Sequence, residues 1–505
     1  MRVTLVYYGR YHVREALDLE TLASVLRGAG HEVCLVNDPG TFGVTDNVLQ
    51  VPWLARLLSS PEKIAQRIVE SHPDVAVFSV LPNTYTWSRD MARRLKGALP
   101  ATPIVFIGLH PSLVPERVMA DPTVDYIVQG EVENVLNPLL DAIEGKIDAA
   151  SVANLWRRDN GTVRFTSRAT LVDLDALPLP DKDLFGPHVA DSYSYTAMVS
   201  RGCPFVCSFC EETCSKNLYG SAYFRRKSVD TVMRELVEAK RRYKFREVIF
   251  KDSYLSGSKT WLRELMARYR AEIAVPFKCF CTIVGFDDET AALLKESGCY
   301  NIEFGLQTWN ERIRSEILKR RETNEEALHT FECCARHELR YDVDHMFNLP
   351  TETEEDHREA ATIYRRLRFL NRIKVHYLLY LPTAPILEAG IASGDLTPDI
   401  HTQLAEGWGS DFYHQDTGDA GHRAAVAGYA TLYKMTPILP DFLFNWFMRK
   451  PSRVRTLRFQ PSFVTAFWQL LVAIKGRDLR FWAYLRSYPR KAWQSFVGPA
   501  KSADK

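Results

Sequence analysis

The chain has 505 residues, about three to four times a domain of roughly 150, so a single small binding module is excluded and two or three domains are expected. With 46% hydrophobic and 25% charged residues, and 26 Gly and 26 Pro, the composition is that of a folded globular chain and excludes a disordered or collagen-like one. The net charge of +2 hides an asymmetry: Phe442 to Lys501 holds twelve Lys/Arg and one acid, Asp478, a local +11 that leaves the remainder at −9.

The opening Met1-Arg-Val-Thr-Leu-Val-Tyr-Tyr-Gly9 has too short an apolar run for a signal peptide and lacks a small-residue cleavage site, so a cytoplasmic location is expected. In that reducing compartment ten Cys are not a disulfide framework, and clustered Cys read as metal ligands or catalytic groups.

Residues 1–145 alternate β-branched runs with amphipathic stretches. Strands are predicted at Val3–Tyr8, His31–Val36, Val75–Val80, Pro103–Leu109 and Asp125–Val128, and helices at Leu17–Ala29, Trp87–Leu99 and Asn134–Ile143. That rhythm predicts a doubly wound, Rossmann-like parallel sheet with a ligand crevice beyond its strand C-termini. Residues 146–194, with Leu177-Pro-Leu-Pro-Asp181, read as a linker.

A second series fills 195–395, with strands at Tyr195–Ser200, Glu247–Phe250, Phe277–Thr282, Asn301–Phe304, Tyr341–Phe347 and Val375–Tyr380. Helical patterns at Val229–Tyr243, Trp261–Arg270, Glu289–Ser297, Asn324–His337 and Glu354–Leu370 separate them, so a partial (β/α)6 TIM-type barrel is expected. Residues 396–505 read as a helical, basic and aromatic region.

Directly after the first barrel strand, Arg201-Gly-Cys203-Pro-Phe-Val-Cys207-Ser-Phe-Cys210 spaces three cysteines as C-x3-C-x2-C in one loop. Thiolates are soft ligands for iron–sulfur clusters, and three of them leave one iron of a 4Fe-4S cluster open. Structural zinc wants four ligands, usually in two separated pairs, with Cys214 the nearest fourth.

This loop resembles that of the radical S-adenosylmethionine (SAM) enzymes. The resemblance implies that Cys203, Cys207 and Cys210 hold the cluster, that SAM chelates the open iron, and that Phe209 lies near the adenine. Further along, Gly305-Leu-Gln307-Thr308 resembles the family's Gly-x-Glu-Ser, and Phe347-Asn348-Leu-Pro-Thr351-Glu-Thr353 its Gly-Leu-Pro-Gly-Glu-Thr turn. Leu381-Pro-Thr-Ala-Pro385 resembles Pro-Gly-Thr-Pro, and Asn310-Glu-Arg-Ile-Arg and Leu318-Lys-Arg stand between these motifs. Here Gln307 replaces an acid, and Asn348 and Thr351 replace glycines. Gln307 and Asn348 are thus SAM-binding candidates, joined by Asp252 and Glu303 from their places at the second strand's end and on the fourth strand, with a solvated loop acid the alternative for Asp252 and a structural ion pair that for Glu303.

The N-terminal half resembles the cobalamin-binding domain that precedes many radical SAM barrels, on Gly108-Leu-His-Pro-Ser-Leu-Val-Pro-Glu116, Val124-Asp-Tyr-Ile-Val-Gln-Gly130-Glu131 and Ser79-Val-Leu81. It implies cobalamin contacts from Ser79, Leu81, Gly108, His110, Gly130 and Glu131. The loop that supplies a lower axial His in other such domains is replaced by Tyr8-Gly-Arg-Tyr-His12, so a corrinoid without that ligand is expected.

Other polar and thiol groups have plainer readings. Asp342, Asp344 and His345 crowd one strand and could form a metal cluster, but alternation sends the two Asp to one face and His345 to the other, so polar barrel contacts are the favoured reading. Cys279, Cys281, Cys333, Cys334, Cys34 and Cys299 read as small buried hydrophobes.

By resemblance, the chain is expected to be a cobalamin-dependent radical SAM C-methyltransferase: a 5′-deoxyadenosyl radical takes hydrogen from an unactivated carbon and methylcobalamin delivers the methyl group. Its reducing electron would come from a donor such as a flavodoxin or ferredoxin. A cyclase or ring-rearranging enzyme of the same build is the alternative. A non-catalytic corrinoid or iron–sulfur sensor is the second, but a sensor needs no open iron and would carry an output module such as a helix-turn-helix. No OB-like domain follows the barrel, which disfavours a methylthiotransferase, and no nucleic-acid partner is expected. The C-terminal basic stretch, with fourteen aromatics including Trp446, Trp468, Trp482 and Trp493, has two readings: a peripheral contact with the membrane's inner face, serving a lipophilic small-molecule substrate, or a soluble cap over the barrel. The longest mainly apolar run there, Pro461 to Ile474, is too short to span a bilayer.

Overall fold

A computed structural model describes residues 1–9, 16–40, 52–58, 60–186, 194–407 and 418–476. The expected Tyr8–His12 loop lies partly, and Trp482 and Trp493 wholly, outside these described residues.

The first sheet is mixed and seven-stranded. Strands β1 (Arg2–Tyr8), β2 (Glu32–Asp38), β3 (Val75–Ser79), β4 (Ile104–Ile107) and β5 (Tyr126–Val128) run parallel. Side-chain alternation divides their apolar residues between two layers. Val3, Leu5, Val75 and Val77 pack with Leu19, Leu22 and Leu26 of α1 (Leu17–Gly28). Val6, Ala76 and Phe78 face the other way, onto Ile64 and Ile68 of α2 (Pro61–Glu70) and Met91 and Leu95 of α3 (Tyr85–Ala98). Helix α4 (Leu136–Ile143) closes the first face with Leu136, Leu139 and Leu140. Because β1 lies between β2 and β3, the chain reverses direction across the sheet there, and a crevice opens beyond the C-termini of β1 and β3.

The segment read as a linker does more than connect. Within it, β6 (Leu155–Asp159) and β7 (Thr162–Phe165) form a hairpin that extends the first sheet antiparallel to β5. The signal is faint because only Leu155 of the nine strand residues is buried, so no run of buried side chains marks an edge hairpin.

Six parallel strands form the second sheet in simple sequential order: β8 (Ser194–Ala197), β9 (Glu247–Phe250), β10 (Phe277–Cys281), β11 (Cys299–Gln307), β12 (Arg340–Phe347) and β13 (Leu370–Tyr377). Its first and last strands do not pair, so it is an open barrel. Two helices, α5 (Glu211–Tyr219) and α6 (Val229–Tyr243), follow β8, and one follows each later strand up to β12: α7 (Lys259–Arg268), α8 (Asp288–Glu296), α9 (Asn324–Arg336) and α10 (Glu354–Arg366). The connecting turns carry their own start signals. Ser228, Ser258 and Asp287 each accept from a backbone N–H of the helix they precede, and Thr323 with Glu326 and Thr353 with Asp356 form reciprocal caps, each cap worth about 1 kcal/mol. Helix α10 stops at Arg366, short of the expected Leu370, because Leu367 is already extended and Phe369 takes a left-handed φ of 61° into β13.

The C-terminal region is helical, with α11 (Ala420–Met435), α12 (Asp441–Met448) and α13 (Ser462–Gly476). Tyr429, Tyr433 and Met435 of α11 join the barrel's own core, and the Tyr433 hydroxyl donates to the His357 carbonyl at 2.8 Å. A Cβ on Gly428 would stand 2.5 Å from the Val454 carbonyl oxygen, so α11 and the segment after α12 touch backbone to backbone. Among the described residues no helix is long and apolar enough to cross a membrane.

Candidate active site

The cysteine loop leaves β8 through a sharp turn. Gly202 takes a φ of 81°, and a Cβ there would lie 2.8 Å from the Tyr223 carbonyl oxygen, so glycine fits both the conformation and the space. Asp252, just past β9, fixes the turn: its Oδ1 accepts from the Val199 and Ser200 N–H groups at 2.9 and 2.6 Å and from the Ser200 hydroxyl at 2.7 Å. Burial pushes this carboxyl up to about 6 despite those bonds. Asp252 Oδ1 therefore holds the loop's base, while its Oδ2 is buried without a hydrogen-bond partner.

Further along, the Ser208 N–H and hydroxyl donate to the Leu318 and Ile317 carbonyls at 3.0 and 2.6 Å, and the Ile386 N–H donates to the Ser208 carbonyl at 3.1 Å. Cys210 then caps α5, and Thr213 donates to the Cys207 carbonyl at 2.8 Å. Cys203, Cys207 and Cys210 are half-buried free thiols on this pinned loop.

Burial raises all three thiols, Cys203 to about 11, and a thiolate on Cys207 would push up both Cys203 and Cys210. Three mutually repelling thiolates need a cation, and one is close: Arg320 Nη1 lies 3.7 Å from Cys207 Sγ. Arg320 also donates to the Gly305 carbonyl at 2.6 Å and pairs with Glu322 at 2.5 Å. A soft, convergent donor set with a guanidinium beside it fits an iron–sulfur cluster. Phe209 packs inward on the apolar cluster of Leu318, Leu349 and Ile386.

The remaining SAM candidates divide. Gln307 ends β11 with a φ of 73°, and Asn348 and Thr351 take φ values of 63° and 66° in the turn after β12, so the left-handed turn survives replacement of its glycines. Asn348 Oδ1 lies 3.2 Å from His422 Nε2 of α11. Glu303 lies in an ion-pair cluster. It pairs with Lys278 at 2.5 Å and with Lys374, and Lys278 also reaches Asp342 at 3.1 Å. Burial opposes a charge on Glu303, but the two ammonium groups overcome it and hold the carboxyl well below its ordinary value.

At the first sheet, the candidates sit on the loops beyond β3, β4 and β5. Ser79 ends β3, Leu81 is half-buried, and Gly108 has a φ of 100° with space for a Cβ closed by the Val80 carbonyl at 2.8 Å. These loops present backbone, small and apolar groups, which suits a bulky macrocycle. His110 is different: it is fully buried and stacks on Tyr85 at 4.2 Å, and burial lowers it to about 4. In this structure the ring is covered by Tyr85.

Gly130 and Glu131 join the two sheets. Gly130 adopts a φ of 85° against the Tyr219 hydroxyl, which accepts from the Glu131 N–H at 2.7 Å. Glu131 pairs with Arg225 and, at 3.4 Å, with Arg201, and Arg201 also pairs with the buried Glu133. Since Arg201 stands two residues before Cys203, these contacts press the cysteine loop against the C-terminal end of the first sheet. Arg201, Glu133, Tyr219 and Arg320 were not singled out from the sequence, although Arg201 and Arg320 fall inside the quoted motifs.

Comparison with known proteins agrees with this arrangement. Residues 6–140 match the family model of the B12 binding domain and residues 198–362 that of the radical SAM superfamily. The chain is 26% identical over 332 residues to an uncharacterized methyltransferase of Pyrococcus horikoshii, an alignment that covers 64% of this chain and 69% of that protein. Its fold resembles that of OxsB, a cobalamin-dependent S-adenosylmethionine radical enzyme solved with aqua-cobalamin and S-adenosylmethionine, with a TM-score of 0.67, 13% identity and coverage of 98% of this chain and 79% of that one. It also resembles the radical S-adenosylmethionine methyltransferase TsrM of Kitasatospora setae, solved with cobalamin and a [4Fe-4S] cluster, with a TM-score of 0.58, 19% identity and coverage of 76% and 73%.

Proposed function

We propose that this chain, which belongs to the cobalamin-dependent radical SAM enzymes and takes a 4Fe-4S cluster, SAM and cobalamin as cofactors, methylates an unactivated carbon of a small molecule. The observation that carries this reading is the clamp of Arg201 and Tyr219 on Glu131 and Glu133, which sets the cysteine loop against the crevice end of the first sheet. A methyl donor held at one end of that contact and a radical source at the other would both reach one substrate carbon.

When bound, the cluster and SAM supply a radical able to take hydrogen from unactivated carbon, and cobalamin supplies the methyl group. The chain's residues do the rest. Cys203, Cys207 and Cys210 hold the cluster, with Arg320 offsetting their negative charge. Gln307 and Asn348, at adjoining strand ends, orient SAM, and Phe209 keeps water from its adenine. Ser79, Leu81, Gly108 and Gly130 form the seat of the corrin. The electron comes from a flavodoxin or ferredoxin.

The test uses anaerobically reconstituted protein, dithionite, hydroxocobalamin and SAM labelled in its methyl group. Label appearing in cobalamin together with 5′-deoxyadenosine supports the reading, and 5′-deoxyadenosine should vanish in the C203A/C207A/C210A variant. Production of 5′-deoxyadenosine with no label in cobalamin would replace methyl transfer by cyclisation or rearrangement.

A peripheral membrane contact belongs to the same proposal. Phe442, Trp446, Phe459 and Phe467 are exposed, with Arg453 and Arg458 each 4.5 Å over the rings of Trp446 and Phe459. Flotation with anionic vesicles at low salt should carry the protein upward; protein left at the bottom of the gradient would return the substrate to the polar metabolites.

A further inference from the structure

Outside the cysteine loop, a second set of metal-ligating groups meets between the barrel sheet and its outer helices. His345 lies on β12, Glu352 in the turn that follows, and His357 in the first turns of α10. One ligand atom from each lies within 4.8 Å of the other two. His345 and His357 are 1% exposed, and the Glu352 side chain is wholly buried.

Four polar atoms here have no hydrogen-bond partner: His345 Nε2, Glu352 Oε1, and both ring nitrogens of His357. The nearest approach between His357 Nδ1 and Glu352 Oε1 is 3.7 Å, too long for a hydrogen bond. Each such buried orphan costs about 1–3 kcal/mol, and a group of them at one place calls for an unseen partner.

The surroundings orient these atoms. The Tyr364 hydroxyl lies 2.9 Å from His345 Nδ1, where it can accept a hydrogen bond from Nδ1–H and leave Nε2 with its lone pair. Glu352 Oε2 accepts from the Leu349 N–H at 3.3 Å and so anchors the turn, which leaves Oε1 to point inward. We propose that His345, Glu352 and His357 bind a divalent cation of the zinc class, at a site separate from the cysteine loop.

Two imidazoles and one carboxylate form a borderline donor set without sulfur, which suits zinc and leaves a fourth tetrahedral position for water. Burial favours the neutral form of both His, as ligands require. Asp356, also close to both Glu352 and His357, adds negative charge. A cavity of about 190 Å³, walled by Asn348, Glu352, Tyr380, Asp395 and His422, adjoins the Glu352 side of the cluster.

The test uses the full chain with its iron–sulfur cluster reconstituted, so that the three loop cysteines are occupied. After dialysis against zinc and then chelator-treated buffer, elemental analysis should find one zinc per chain. Zinc X-ray absorption should show nitrogen and oxygen at about 2.0 Å and no sulfur at about 2.3 Å. H357Q and E352Q, which preserve volume, should each weaken zinc binding at least ten-fold with iron content unchanged. Should H357Q disturb folding, E352Q alone decides. Absence of zinc from the wild-type protein, sulfur in its shell, or full retention by E352Q would overturn the assignment.

Discussion

The hydroxyl of Tyr219 accepts the N–H of Glu131 at 2.7 Å while standing where a Cβ on Gly130 would lie, only 1.8 Å away. A residue of the barrel's first helix thus occupies the space that glycine leaves at the end of the first sheet. Gly130→Ala adds a clash to a left-handed φ of 85° and should cost about 1–3 kcal/mol, with loss of hydroxocobalamin on desalting. Tyr219→Phe removes only the acceptor and should cost about 1 kcal/mol. Denaturant melts and cobalamin retention measure both; a Gly130→Ala protein that behaves as wild type would show that the contact is not tight in solution.

Arg320 carries the positive charge nearest to Cys207. Its removal as Arg320→Met should lower the midpoint potential of the cluster, because an added electron loses its neighbouring cation, and should leave Glu322 buried without its partner. Arg320→Lys keeps the charge and should restore most of the potential. An EPR-monitored redox titration reads this directly. A potential unmoved by Arg320→Met would reduce Arg320 to a brace between Gly305 and Glu322.

The sequence made the parallel strands legible because the parallel part of each sheet is buried on two faces, so Val75–Ser79 and Glu247–Phe250 read as bounded apolar runs. The cysteine loop was legible because its ligands are contiguous. Arg201–Glu133 and Tyr219–Glu131 were not, since they bring together residues 68 and 88 positions apart, and nothing in either local pattern specifies the partner. The burial of His110 was not legible for a related reason: a motif names a position but not its exposure, and Tyr85 covers this ring. For His345, alternation correctly separates it from the lumen-side Asp342, but Glu352 and His357 join it only once α10 folds back over β12.

Glu303 offers a clean separation of structure from ligand binding. Lys278 is wholly buried and is held by Glu303 and Asp342 together. Glu303→Gln removes one of the carboxylates that hold Lys278 and Lys374 and should destabilise the protein by about 3–5 kcal/mol. Because the Glu303 carboxyl is held below its ordinary value, the stability it contributes is present above about pH 4.5 and is lost as the pH falls through the folded value. Chemical denaturation should show the loss at pH 7 with SAM affinity of the surviving folded protein little changed. Unaltered stability with weakened SAM binding would make Glu303 a SAM contact after all.

His110 sets a pH dependence of the opposite sign to that of a paired histidine. Burial against Tyr85 lowers its folded value to about 4, whereas in the unfolded chain it titrates near 6.5. Between these values the unfolded state binds the extra proton, so the contribution of His110 is complete above about pH 6.5 and is lost as the pH falls towards 4, on the order of 3 kcal/mol in all. His357, lowered to about 3 by burial, adds to the same slope, so the experiment compares slopes rather than their presence. His110→Leu keeps an apolar side chain beside Tyr85 and cannot be protonated. Urea denaturation from pH 7 to pH 4.5 should therefore give a shallower loss of stability in His110→Leu than in the wild-type protein. Equal slopes would mean that the imidazole gains a proton without leaving its stack, and that the first sheet opens to water at this position.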